Sequence, residues 1–208
     1  MIRLDVSARR RTQFVRNILG VWHSATAEQE QRGRAWYRTA HHLAASLTGG
    51  DARAGAGVIA ALSANKSWEQ NVSLARRACE TSLTGGHVRD ALTKAAAILA
   101  GADPADLLPM DRKTGAFFRC IADPTDDHAV VIDRHAHDVA VGHVYGNRDR
   151  GLSSLRRYEL LANCYRQAAR RLGELPSTVQ AVTWIIHTDR IGGTGTRRPR
   201  PHTWPPLN

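Results

Sequence analysis

From Leu152 to Leu172 apolar side chains fall at Leu155, Tyr158, Leu161, Tyr165, Ala168 and Leu172. Steps of three and four residues place them on one face of a helix, and Gly173 stands where such a helix would end. The same period recurs along most of the chain. Ser7 is a suitable cap for a helix through Trp22 that turns Phe14, Ile18 and Val21 to one side. Glu28–Leu47 repeats Trp36, Ala40, Leu43 and Leu47 and is closed by Gly49-Gly50. Gly55–Leu62 reads as a short apolar helix, and Trp68–Leu83 as another, closed by Gly85-Gly86. Val88–Leu99 is alanine-rich and stops at Gly101, and Asp103-Pro104 is a cap followed by an N1 proline. Ser177–His187 carries Val179, Val182, Trp184 and Ile186, with Trp184 read as core. Strand-like alternation is missing nearly everywhere, so the expected fold is all-α, a helical bundle of about nine helices. Residues 1–190 form the expected helical domain. From Ile191 the composition turns to Gly, Pro, Thr and Arg, and 191–208 is expected to be a disordered basic tail.

Charge narrows the partners. The 208 residues carry 29 Lys and Arg against 19 Asp and Glu, a formal charge of +10. Such a balance suits a polyanion, and nucleic acid is the expected partner. Only 42% of residues are hydrophobic and no apolar run approaches a membrane span, so no membrane partner is expected. The opening MIRLDVSARRRTQ has charges but no apolar stretch after them and does not read as a signal peptide. Cys79, Cys120 and Cys164 are scattered and odd in number, which suits reduced core thiols in a cytoplasmic, monomeric protein.

Two short pieces carry chemistry. In Asp111-Arg112-Lys113-Thr114, Asp111 is a good N-cap, which would place Lys113 in the first helical turn. The macrodipole disfavours an ammonium there, and imine chemistry needs a neutral amine. In Val131-Ile132-Asp133-Arg134-His135, the apolar run Ala129–Ile132 stops at Asp133, which can cap a helix starting at Arg134.

In this order and spacing the two pieces resemble the helix-hairpin-helix DNA glycosylases related to endonuclease III, over roughly residues 55–145. The resemblance implies a two-lobed helical fold in which a flipped base enters a pocket. It implies that Lys113 attacks the sugar C1′ and that Asp133 assists loss of the base and stabilises the sugar cation. Arg112 and Thr114 flank the lysine on the DNA-binding side, and Arg134 would hold a phosphate. Gly57–Asn65 is similar to the segment facing the minor groove. The polar and aromatic group Asn65, Lys66, Trp68 and Asn71 after it would fill the gap left by the extruded base; Trp68 as core and Asn71 as a cap or surface residue is the plainer alternative. Pro109 and Asp111 stand where the family's hairpin has glycines. The four-cysteine cluster of many relatives is missing, so no iron–sulfur cluster or other cofactor is expected.

Other readings stay open. Phage enzymes of thymine hypermodification resemble the same fold and act on the base without excising it, and a non-catalytic DNA-binding protein would use Lys113 only as a phosphate contact. His128, His135, His137-Asp138 and His143 lie close in sequence, and a His-Asp pair resembles that of metal phosphohydrolases. His135 and His137, two apart, point to different sides of a helix, so no metal ligand set is expected.

Overall fold

The computed structural model describes residues 6–81 and 88–193. Ten helices and no strand occur among them: α1 Ala8–Trp22, α2 Ala27–Leu47, α3 Ala52–Ala61, α4 Trp68–Glu80, α5 Arg89–Leu99, α6 Pro104–Leu107, α7 Lys113–Ala122, α8 Arg134–Val141, α9 Leu155–Leu172 and α10 Pro176–Gly193. The all-α expectation holds. Most starts follow from caps legible in the sequence. Ser7 accepts from the Arg10 N–H, Asp51 from Ala54, and Ser67 forms a reciprocal capping box with Gln70.

Several boundaries and faces differ from expectation. α9 begins at Leu155, where Ser154 is the cap, and Leu155 itself is exposed at 42%. α10 runs on to Gly193, so the tail expected from 191 begins inside a helix, and 194–208 lies outside the described residues. The expected end of α4 at Leu83 and Gly85-Gly86 also lies outside them. α2 buries Gly33, Tyr37, Ala40 and Ala44; of the expected face only Ala40 is fully buried. The cause is close backbone packing, which rewards small residues over large ones. A Cβ on Gly33 would fall 2.6 Å from the Val182 Cα, on the backbone of α10.

The chain divides into two compact units, residues up to 36 together with 125–193, and residues 37–124. In the second unit α3 is the hub, packed by α4, α5, α6 and α7. Every residue from Gly55 to Leu62 is buried, as expected of a helix apolar on all sides. His41 Nδ1 lies 2.9 Å from the Ile121 carbonyl oxygen, and Arg53 pairs with Asp103 at 2.6 Å on the surface.

In the first unit α1, α8, α9 and α10 pack on one another around Val15, Ile18, Leu161, Tyr165, Val182 and Ile185. An extended stretch, Ala129–Ile132, runs buried through this core without a sheet to pair with. Buried backbone groups need partners, and side chains of α9 and of the preceding loop supply them. The Tyr158 hydroxyl donates to the Val130 carbonyl at 3.2 Å and accepts from the Ile132 N–H at 3.1 Å. Arg166 donates to the His128 carbonyl at 2.9 Å, and Asp126 accepts from the Ala129 N–H at 2.7 Å.

Candidate functional site

That buried stretch delivers Asp133 to the start of α8. As expected, Asp133 is the N-cap: Oδ1 accepts from the His135 N–H at 3.0 Å and the Ala136 N–H at 2.8 Å. Its second oxygen, Oδ2, accepts from the Trp184 indole N–H on α10 at 3.1 Å. Both carboxylate oxygens are thus held by neutral donors, and the side chain keeps a half-buried position with fixed direction. Trp184 is the correction here. It is half-buried rather than a pure core residue, because its polar edge is needed beside the carboxylate.

Around Asp133 the structure gathers His135 and, from α10, His187, which no local feature of the sequence linked to it. His135 packs edge-on against Trp184, ring centres 5.7 Å apart, and against His187, 5.4 Å apart. Arg134 donates through Nε to His135 Nε2 at 3.0 Å, so that nitrogen carries no proton. Burial lowers the His135 pKa to about 4; the Asp133 carboxylate opposes the shift, while the Arg134 and His187 charges add to it. His187 is lowered in the same direction by burial, and its Nε2 is buried without a hydrogen-bond partner.

His137 leaves α8 on another side, as the two-residue spacing implied. It is fully buried, with Nδ1 2.9 Å from Asp138 Oδ1 and Nε2 3.3 Å from Arg157 Nη2. Arg157 can only donate, so His137 is the Nδ1–H tautomer donating to Asp138. Arg150 grips the same carboxylate with two bonds of 2.8 Å, and the Tyr145 N–H adds a third at 3.1 Å. Burial alone would raise the Asp138 pKa; the bonds from Arg150, His137 and Tyr145 outweigh it and hold the group at about 2. The His137-Asp138 pair was visible in the sequence, but Arg150 and Arg157 had no local signal. Among the described residues no group of three His, Cys, Asp or Glu side chains has the geometry to hold a metal ion.

The other expected site residues lie in the unit of residues 37–124. Lys113 is exposed and opens α7, as expected, but the N-cap position falls to Arg112 and not to Asp111. A turn closed by the Arg112 N–H on the Pro109 carbonyl at 3.1 Å moves the start one residue on, and Arg112 makes no side-chain capping bond. Thr114 is half-buried in the first turn. A Cβ on Gly115 would meet the Pro109 and Met110 backbone, so that glycine lets the turn lie close against the helix. Asn65 is exposed in a left-handed conformation, φ 56°, and Lys66 is half-buried beside it. Trp68 begins α4 half-buried, whereas Asn71 is 3% exposed with a buried Oδ1 lacking a partner, which leaves its amide no route to a phosphate.

The fold and these residues define an all-helical protein with a carboxylate and two low-pKa histidines gathered at the start of one short helix. The chain belongs to the family described as "Family of unknown function (DUF7178)", which matches residues 1–191. No curated protein and no solved structure matches the chain.

Proposed function

We propose that the protein acts on nucleobases of DNA by a glycosylase-type mechanism, with Asp133 as the charge that stabilises the sugar cation as the base departs. The supporting observation is the Asp133 carboxylate itself, half-buried and aimed by two backbone N–H groups and the Trp184 indole. A fixed negative charge in a partly dry site stabilises a developing cation better than a solvated one, because no reorganisation is needed. Neutral His135 adds no competing positive charge. The helix-hairpin-helix resemblance supplies the reaction class and assigns Lys113, the exposed first residue of α7, to imine formation with C1′. The chain's formal charge of +10 suits the DNA partner.

The test is base release and borohydride trapping on duplexes carrying a panel of damaged and modified bases. Asp133→Asn should lower base release by about 100-fold or more. Lys113→Gln should abolish trapping while binding persists. The chain's other lysines, Lys66 and Lys94, serve as controls for the trapped site. Full base release by Asp133→Asn would leave Asp133 a structural cap and sink the reading. A modified base that appears without an abasic site would point to base substitution instead.

A further inference from the structure

Arg157 is 5% exposed, and no carboxylate among the described residues pairs with it. Its Nε is buried without an acceptor, Nη2 meets only neutral His137, and its Cζ lies 5.6 Å from the Phe14 ring centre. An uncompensated buried cation is costly unless something supplies the opposite charge. Further positive charge lies near it instead, from Arg10. Arg10 sits one turn before Phe14 on the same face of α1, and its charge acts on the Arg157 guanidinium. On the other side the chain of contacts runs from Arg157 through His137 and Asp138 to Arg150 and Tyr145. There Arg148 lies over the Tyr145 ring, its Cζ 4.8 Å from the centre, with its charge exposed. Asp138 is already matched by Arg150, and the loop's other acid, Asp149, accepts from the Gly151 N–H.

Helix polarity sharpens the point. α1 and α9 both begin with arginines and have no acid in their first turns. The macrodipole disfavours cations at those ends, so the arrangement works against the folded protein alone.

We propose that Arg10, Arg148 and Arg157, at the starts of α1 and α9 and on the 142–151 loop, form a phosphate-backbone binding face for duplex DNA. Arg10 and Arg148 make the outer phosphate contacts, and buried Arg157 supplies field from beneath, its charge offset once a phosphate arrives. Arg148 donates Nε to the Tyr145 carbonyl at 3.1 Å with its Cζ over the Tyr145 ring, which orients the guanidinium and leaves its Nη1 end for a phosphate. The inference shares only the DNA partner with the proposed function and needs none of its chemistry.

The experiment is fluorescence anisotropy of the full chain with an undamaged mixed-sequence duplex across a salt series. Arg10→Gln/Arg148→Gln should flatten the slope of log affinity against log salt by about 1.8, near 0.9 per lost phosphate contact. Arg10→Lys/Arg148→Lys should keep the slope. Arg170→Gln/Arg171→Gln removes equal charge from the far end of α9 and should also leave it unchanged. An unchanged slope in the first variant, or equal flattening in the Arg170/Arg171 variant, overturns the face. So does binding of inorganic phosphate without binding of duplex. Because the duplex is undamaged, loss of base release elsewhere leaves this result readable, and an overturned face leaves excision standing.

Discussion

Asp133 uses its two oxygens for different tasks, and that division can be tested. Asparagine also caps helices, so the bonds to the His135 and Ala136 N–H groups survive in Asp133→Asn. The amide, however, would turn its own N–H groups toward the Trp184 indole N–H, donor against donor. A donor left unsatisfied in a partly buried place costs about 1–2 kcal/mol, which chemical denaturation would read directly. Trp184→Phe removes the conflict, so the double variant should be less destabilised than the sum of the singles. Strict additivity would mean that the indole bond does not form in solution. His135 gives a second test at the same scale. The folded protein keeps it neutral down to pH about 4, whereas the unfolded chain takes up its proton near the ordinary value of 6.5. The unfolded state then holds the extra proton, and stability falls as pH drops from 6.5 to 4. For this residue alone the loss approaches about 3 kcal/mol, with His137 and His187 acting in the same direction. His135→Phe should flatten the fall of melting temperature over that window. An equally steep profile in the variant would assign the effect to the other histidines. Asp138 contributes separately and lower, between its ordinary 3.8 and about 2.

At the scale of elements, the middle of the buried stretch before Asp133, Val130 to Ile132, is held by one hydroxyl. Tyr158→Phe keeps the ring but leaves the Val130 carbonyl and the Ile132 N–H buried without their partner. With about 1–3 kcal/mol for each stranded group, urea unfolding should show a loss of roughly 2–5 kcal/mol, large for the removal of one oxygen. A loss below about 1 kcal/mol would mean that water reaches the stretch. This dependence also explains what the sequence could and could not disclose. Caps are local chemistry, so Ser7, Asp103 and Asp133 were readable as helix starts. The inward face of α2 was not, because Gly33 and Ala44 are buried for what approaches them, the backbones of α10 and α3, and not for their own apolarity. The site divides in the same way. Asp133 at the end of an apolar run has a local signature, whereas the Trp184 indole arrives from 51 residues away and Arg150 from 12 residues beyond Asp138. Trp184 reads as core among the apolar residues of the last helix, and only the third dimension shows its N–H put to use.

At the scale of the whole molecule, charge works in two directions that salt can separate. A formal +10 repels itself in the compact state, and chloride at 0.1 M reduces such repulsion beyond a Debye length of about 10 Å. Salt also weakens the surface ion pairs Arg34–Glu174, Arg53–Asp103 and Lys94–Asp90, but exposed pairs contribute only about 0–1 kcal/mol each. The repulsion is spread over many arginines, whereas the exposed pairs are solvated and individually weak, so screening should win. The melting temperature is therefore expected to rise between 20 and 200 mM sodium chloride at pH 7, while on the proposed reading affinity for duplex DNA falls over the same range. On the proposed DNA-binding reading the two trends oppose, because arginines that serve a polyanion burden the free chain and are relieved by either salt or ligand. Duplex DNA at low salt should then raise the melting temperature as chloride does, by neutralising the same charge. A melting temperature that falls with chloride would show that the ion pairs dominate and that the excess charge does not burden the free protein.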